Sequence, residues 1–447
     1  MEESGKIKTQ QEKYVTINIT QAKEKFESVP FNFFKVPFEV RKLNTMAYMP
    51  RVISIGPFHH GKSKFKPMEK HKEIYCKRFK ARLQARLRER LPGDEIENLQ
   101  LTLESIIKER EESIRGYYAE PIKQELQDSD NFVKMILVDA LFILELFYGR
   151  KSIKKISKND DPITLIGPLR ETMALDLLLF ENQLPFFVLE ELFKLDSDEE
   201  VPLIQHALDF FKGFDFFNGL INEEKKNLSS QVKIKHLTDL LRCFMLPSSF
   251  ESPPKKEEDK KNVRLSYSAK QLHEAGVKFE STSKCLYNIT FDKDVLKIPC
   301  LKLSFSTEVL IRNVMALELY SYRTEGYITD YFAMLDSLID STQDMDLLCD
   351  KGIVNHYLGD KMTATTIVNN LHTNISWEGL NSEYCQICTD LNDFYRKTSN
   401  RWMAALRHDY FNTPWRGAST IAAFILLLLT LIQTICSIIS VVYSKPV

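Results

Sequence analysis

The sequence predicts a mainly α-helical protein with a small β-hairpin element and one C-terminal transmembrane helix. Three observations support this prediction. Apolar residues recur at helical spacing through most of the chain, and the spacing changes to every second residue in one window alone, residues 276–305. The end of the chain carries a long apolar run without a charge. We therefore expect strands mainly within residues 276–305, with at most a short additional piece near Val52.

Composition divides the chain into four parts. Residues 1–30 are polar and charged and are expected to form a flexible tail. Residues 31–415 are expected to form one mainly helical domain. The stretch ESPPKKEEDKKN at residues 251–262 interrupts that domain and has the composition of a flexible surface loop. Residues 418–443 form the membrane segment, and residues 444–447 a short tail.

Helical periodicity is clear in three places. Residues 67–118 carry Phe79, Leu83 and Leu87 at four-residue spacing. The stretches NFVKMILVDALFILELFYGR and ETMALDLLLFENQLPFFVLEELFKL are long and strongly apolar. Pro185 interrupts the second of them, so we expect Asn182 to cap the helix that follows.

A further helix has recognisable ends, and it is followed by an isolated cysteine pair. Ser341 and Asp344 have the spacing of a capping box, and Gly352 is suited to close the helix. Cys385 and Cys388 form a single C-x-x-C without a second pair, which gives no support for zinc or redox chemistry. The chain has eight scattered cysteines and 447 residues, so we expect free thiols in a reducing compartment.

The charge balance argues against one class of partner. Sixty Lys and Arg residues nearly cancel 61 Asp and Glu residues, for a formal net charge of -1. Nucleic acid binding depends on a concentrated positive surface. We therefore expect no nucleic acid partner.

The C-terminal run is long enough to cross a bilayer. From Ala418 to Tyr443 it reads ASTIAAFILLLLTLIQTICSIISVVY and contains no charged residue. As a helix it reaches about 39 Å, which exceeds the ~30 Å hydrocarbon core of a bilayer. We therefore expect residues 418–443 to contact the lipid bilayer as a single-pass transmembrane helix.

The flanking residues predict an orientation. The N-terminus has no apolar segment typical of a secretory signal. Arg401, Arg407 and Arg416 precede the span, and only Lys445 follows it. Positive charge favours the cytosolic side, so we expect a tail-anchored protein with a cytosolic body. We expect the plasma membrane rather than the endoplasmic reticulum.

One short stretch has the pattern of a nucleotide-binding loop. Residues 56–63 read GPFHHGKS, so Gly56, Gly61, Lys62 and Ser63 match the Walker A consensus and are candidate phosphate-binding residues. The context is unfavourable. Pro57 lacks an amide hydrogen, and Pro67 would interrupt the helix that should follow. The Walker B candidate MILVD keeps helical spacing, whereas that motif requires a strand.

The same region contains three histidines. His59, His60 and His71, with Glu69 and Glu73 nearby, are candidate metal ligands. Their spacing matches no established ligand motif. We therefore expect the histidines to hydrogen-bond within a structural loop, and we expect neither metal nor cofactor.

Several longer stretches resemble one family. The segments YMPRVISIGPFHHGK, MEKHKEIY, DLLLFENQLPFFVLEELF, STEVLIRNVMALEL and DYFNTPW occur in that order before the apolar helix. In sequence and order they resemble the plant domain-of-unknown-function 247 family, over nearly the whole chain from about Phe31. The resemblance implies a membrane-associated plant protein without established catalytic chemistry.

These observations favour a membrane-anchored interaction or signalling protein that is not an enzyme and that has protein partners. The alternative is a phosphate- or nucleotide-binding enzyme that uses the Gly56–Ser63 loop.

Overall fold

The computed structural model describes residues 33–90, 99–152, 167–196, 201–218, 220–221, 233–246, 263–283, 286–322, 325–375, 379–410 and 414–443. The predicted N-terminal tail, the predicted loop at residues 251–262 and the tail at residues 444–447 lie outside these residues.

Helices dominate the part of the chain that the structure describes, as predicted. In the first half they are α1 (Phe38–Arg41), α2 (Lys66–Arg90), α3 (Leu99–Glu109), α4 (Glu111–Gly116), α5 (Ser129–Ser152), α6 (Gly167–Asp176), α7 (Phe186–Asp196), α8 (Leu203–Phe211), α9 (Asp215–Asn218) and α10 (Leu237–Met245). The second half contains α11 (Ala269–Glu274), β1 (Lys278–Thr282), β2 (Thr290–Asp292), β3 (Val295–Pro299), β4 (Leu301–Leu303), α12 (Phe305–Ser321), α13 (Tyr327–Leu338), α14 (Thr342–Asp350), β5 (Val354–His356), α15 (Lys361–Leu371), α16 (Ser382–Arg396), α17 (Thr398–Tyr410) and α18 (Pro414–Tyr443).

Helix α5 is the centre of the first half. It packs against α2, α3, α7 and α8. Phe132, Ile136, Ala140 and Ile143 are buried, and the remaining sides of the helix also carry buried apolar residues. A helix that is apolar on all sides is stable only when neighbouring elements surround it. The apolar composition of residues 132–148 therefore accounts for the central position of α5.

Helix α12 is the corresponding element of the second half. It packs against α10, α13 and a 3-10 turn at Thr45–Tyr48. The side chain of Asn313 accepts a hydrogen bond from the Phe180 amide at 2.9 Å and donates one to the Ala47 carbonyl at 2.8 Å. This buried amide connects α12 to two segments of the first half.

The predicted hairpin is confirmed. Strands β2 and β3 are antiparallel, with Asp292 opposite Val295, and Lys293 takes a positive φ of 59° in the turn between them. Strand β1 adds to β3 in parallel, with Lys278 opposite Val295. The prediction missed β5, which pairs in parallel with β4. Three residues of β5 are too short to show a two-residue period.

Two helix boundaries were predicted with mixed success. Ser341 and Asp344 form the capping box of α14, and Gly352 after it has a φ of +67°, both as expected. The cap predicted for Asn182 is wrong. Helix α7 begins only at Phe186, whose amide donates to the Lys235 carbonyl at 2.8 Å. Asn182 is instead buried and bonded to a distant segment described below.

The cysteines agree with the prediction of thiols where the structure describes them. Seven are free, and Cys285 lies outside the described residues. Cys385 and Cys388 are both buried on α16, and the Cys388 sulfur lies 3.6 Å from that of Met334. The pair therefore belongs to the packing of α16 against α13.

Candidate functional site: the Gly56–Ser63 loop and the C-terminal helix

Side chains, and not a β-sheet, hold the segment that precedes the loop. The amides of residues 51–53 donate to the Asp176 carboxylate at 2.6–2.9 Å. Asn182 accepts from the Ile55 amide at 2.7 Å and donates to the Ile53 carbonyl at 3.1 Å. The prediction of a short strand near Val52 is therefore wrong. Buried side chains supply the hydrogen bonds that a neighbouring strand would otherwise supply.

A buried lysine lies directly beneath the loop. The side chain of Lys72 is 0% exposed, and its Nζ lies 2.7 Å from Asp139 Oδ1 and 2.8 Å from Glu69 Oε1. It also donates to the Ser54 carbonyl. Burial raises the pKa of Asp139, and the positive charge of Lys72 opposes that rise. The ammonium group thus compensates a carboxylate that would otherwise be buried alone.

Gly56 begins the loop at a point of close approach. Its amide donates to Asp139 Oδ2 at 2.8 Å, and its φ is +69°. A Cβ at this position would lie 2.6 Å from the carbonyl oxygen of Gln183. Gly61 also has a positive φ, of +74°, but a Cβ there would meet nothing closer than 3.7 Å. Both glycines are needed for backbone conformation, and Gly56 also for space.

His59 is a buried, uncharged member of the loop. It is 4% exposed, and its Nδ1 lies 2.7 Å from the Nζ of Lys62. Burial, followed by the positive charge of Lys62, lowers the pKa of His59 to about 3. Its Nε2 is 3.8 Å from the Glu181 carboxylate, which is too long for a hydrogen bond. Glu181 instead pairs with Arg41 and accepts from the Val36 amide.

Two of the four candidate phosphate-binding residues already contact other groups of the protein. The Gly56 amide is occupied by Asp139, and Lys62 contacts His59. Ser63 begins a 3-10 turn at Ser63–Phe65, and α2 starts after it with Pro67 in its first turn. The Walker B candidate MILVD lies within α5, as its helical spacing predicts. The loop thus lacks both the preceding strand and the immediately following α-helix of a P-loop.

The three candidate metal ligands are not gathered into a ligand set. Among the described residues there is no group of three or more His, Cys, Asp or Glu side chains placed to hold a metal ion. His59 is engaged with Lys62, and His71 lies on α2. His60 lines a cavity beside the loop, where its Nδ1 is buried and has no hydrogen-bond partner among the described residues.

That cavity has a volume of about 360 Å³ and lies between the loop, α2 and α5. Its polar lining is mainly acidic and consists of Glu69, Glu73, Glu125 and Asp139 with His60, Asn131 and Lys134. Such a lining attracts cationic groups, although Lys72 and Lys134 offset part of the charge. No sequence pattern predicted the cavity, because its walls come from segments up to 79 residues apart (His60 to Asp139).

The second candidate region is the C-terminal helix. Within α18, Ala418–Ser440 spans 23 apolar or uncharged residues, and none of them is buried in the body. The hydroxyls of Thr430, Thr434 and Ser437 donate to carbonyls of their own helix, four residues earlier, at 2.7–2.8 Å. By length and composition this helix is able to cross a membrane.

Comparison with known proteins identifies the family. A family model described as a plant protein of unknown function, that of domain of unknown function 247, matches residues 33–429. The UPF0481 protein At3g47200 of Arabidopsis thaliana is 29% identical over 436 residues, which cover 92% of this chain and 87% of that protein. Another UPF0481 protein of the same plant, At3g02645, is 23% identical over 509 residues, covering 91% and 90%. No solved structure matches the chain. Because the family model spans most of its length, the chain belongs to the domain-of-unknown-function 247 family of plant proteins.

Proposed function

We propose that this protein is tail-anchored in a membrane, with its helical body in the cytosol, and that it acts by binding other proteins. The observation that carries the proposal is α18. This helix is long enough to cross a bilayer and has no charge from Ala418 to Tyr443, and none of its residues from Ala418 to Ser440 is buried in the body. In water such an apolar surface would be strongly unfavourable, whereas lipid acyl chains cover it at no cost.

The arrangement of the body supports binding more than catalysis. The polar groups around the Gly56–Ser63 loop that resemble catalytic residues, Lys72, Asp139 and Asp176, are engaged with backbone amides or with one another. Elsewhere, Phe305 follows β4 and Tyr357 follows β5, and these residues are 61% and 71% exposed. Because β4 and β5 are parallel, both residues follow the same end of the sheet. Exposed aromatic rings of this kind are typical of protein contacts.

Membrane insertion and orientation are tested together. The full chain is expressed in plant cells, and membranes are washed with alkaline carbonate and then treated with a glycosidase. We expect the protein to stay with the membrane and to show no mobility shift, although Asn288 and Asn374 lie in N-x-[ST] triplets. A chain truncated before Ala418 should be released. A glycosidase shift that disappears on mutating Asn288 or Asn374 would place the body on the other side of the membrane.

The enzymatic alternative makes an opposite prediction for the loop. If the loop is structural, the protein shows no saturable ATP or GTP binding. Lys62→Ala then lowers the free energy of unfolding by about 1–3 kcal/mol, because it leaves the buried Nδ1 of His59 without its hydrogen-bond partner. Isothermal calorimetry and denaturant unfolding measure the two quantities. Micromolar nucleotide affinity that the Lys62→Ala substitution abolishes would establish the alternative.

A further inference from the structure

One side of α18 carries nearly all of its polar side chains. At about 100° of rotation per residue, six polar residues of the uncharged span Ala418–Tyr443 fall within an arc of about 120°. This polar face consists of Ser419, Thr430, Gln433, Thr434, Ser437 and Ser440, with Ala422, Ala423, Leu426 and Val441 inside the same arc. Thr420 lies just outside it. The opposite arc includes Phe424, Leu428, Ile432, Ile435 and Ile439. The helix therefore has one side suited to lipid and one side that is not.

Gln433 is the member of the polar face that most requires a partner. It lies about 4 Å from the midpoint of residues 418–443, deep in the hydrocarbon of a bilayer. Several hydroxyls of the face donate to carbonyls of their own helix, so their hydrogens are satisfied locally. The Gln433 amide has no such bond among the described residues. It carries two donors and an acceptor that lipid cannot satisfy.

A second copy of the same helix meets this requirement. Two parallel copies related by a two-fold axis place Gln433 opposite Gln433 at the same depth. Because the amide contains both donor and acceptor, each copy supplies what the other lacks. The small Ser and Ala side chains of the same face allow close approach of the two backbones. None of the Ala418–Ser440 window is buried, so the body of the same chain leaves this face open.

We propose that α18 pairs with α18 of a second copy through the polar face, with hydrogen bonds between the two Gln433 amides. The inference rests on the membrane insertion proposed above and adds the partner of the span: the protein is a membrane homodimer. The dimer would present two bodies on the same side of the bilayer.

Disulfide scanning tests which face is shared. In full-length protein with Cys436→Ser, single cysteines are placed at Thr430 or Ser437 on the polar face. Leu428→Cys and Ile435→Cys are the matched controls, since each lies two residues away at similar depth on the opposite side. After oxidation in native membranes, we expect several-fold more cross-linked dimer from positions 430 and 437 than from 428 and 435. Equal cross-linking on both sides, or more from 428 and 435, would overturn the proposal.

A second measurement tests the role of the amide. Energy transfer between labelled copies in lipid vesicles gives the dissociation constant. Gln433→Leu should raise that constant roughly three- to thirty-fold, the range found for hydrogen bonds between membrane helices. Gln433→Asn, which keeps the amide, should have a smaller effect, and Ile432→Leu should have none. An unchanged dissociation constant for Gln433→Leu would show that Gln433 makes no hydrogen bond in the interface and would overturn the proposal.

The two proposals fail in different ways. Release of the unaltered protein by carbonate would overturn membrane insertion and the dimer with it. Carbonate-resistant protein that shows no self-cross-linking would overturn the dimer alone. An adduct of a different mass from positions 430 and 437 would show that the polar face binds another membrane protein, which also contradicts pairing with a second copy.

Discussion

The Gly56–Ser63 loop and the C-terminal helix differ in the sequence separation of their hydrogen-bonded residues, which is long around the loop and short in the helix. Gly56 and Asp139 are 83 residues apart in sequence, and Ile53 and Asp176 are 123 apart. In α18 each hydroxyl bond joins residues only four apart. The loop therefore depends on the folding of the whole body, whereas the helix needs only its own backbone and an apolar surrounding. Substitutions around the loop should therefore lower the free energy of unfolding of the body strongly. Substitutions in α18 should change it little.

The largest effect is expected at Lys72. Lys72→Met removes the buried ammonium and leaves the Asp139 carboxylate without a counter-charge. Breaking a buried ion pair in this way costs about 3–5 kcal/mol. Denaturant unfolding of the full chain in detergent measures the loss. Lys134→Met, an exposed lysine of the same cavity wall, is the control and should change stability by no more than ~0.5 kcal/mol. A loss below ~1 kcal/mol for Lys72→Met would mean that water reaches the Asp139 carboxylate.

The two glycines of the loop give a matched pair. Alanine at either position carries a strain of roughly 1–2 kcal/mol, because φ is positive at both. Gly56→Ala also forces a contact with the Gln183 carbonyl, which adds about 1–3 kcal/mol. Gly61→Ala should cost the strain alone. Thermal or denaturant unfolding of both variants gives the comparison, and equal losses would show that the Gln183 segment moves aside.

Acid should weaken the loop through His59. Its pKa is about 3 in the folded protein, whereas an unfolded histidine titrates near about 6.5. The unfolded chain therefore binds a proton first, and stability falls as the pH drops from about 6.5 toward 3. The slope is at most about 1.4 kcal/mol per pH unit, or about 2 kcal/mol by pH 5. In His59→Asn the free energy of unfolding should depend less on pH in this window. An identical slope would mean that the pKa of His59 is the same in the folded and the unfolded chain.

The smallest effect is expected from removal of the C-terminal helix. A chain that ends before Ala418 loses a segment whose apolar window contributes nothing to the packing of the body. Its free energy of unfolding should stay within ~0.5 kcal/mol of that of the full chain. Denaturant unfolding measured under the same detergent conditions makes the comparison. A loss of several kcal/mol would show that α18 packs on the body.

The sequence by itself determined the features that depend on neighbouring residues. Helical periodicity located α2, α5 and α7, the capping box located the start of α14, and the two-residue period located the hairpin of β2 and β3. The apolar run located α18. In each case the determining interactions connect residues at most a few positions apart, so a local pattern carries the information.

Only the tertiary structure decided how the loop is held. The apolar residues 52–55 have the composition of a strand, but amides of this segment donate to the side chains of Asp176 and Asn182 and not to a neighbouring strand. Lys72 is one of many lysines in a basic helix, and its burial follows only when Asp139 and the Ser54 carbonyl meet it. The spacing of residues in the sequence does not show that α2, α5 and residues 51–56 lie close together in space. The partners of these buried polar groups are therefore set by packing, which brings distant residues together and excludes the water that would otherwise satisfy them.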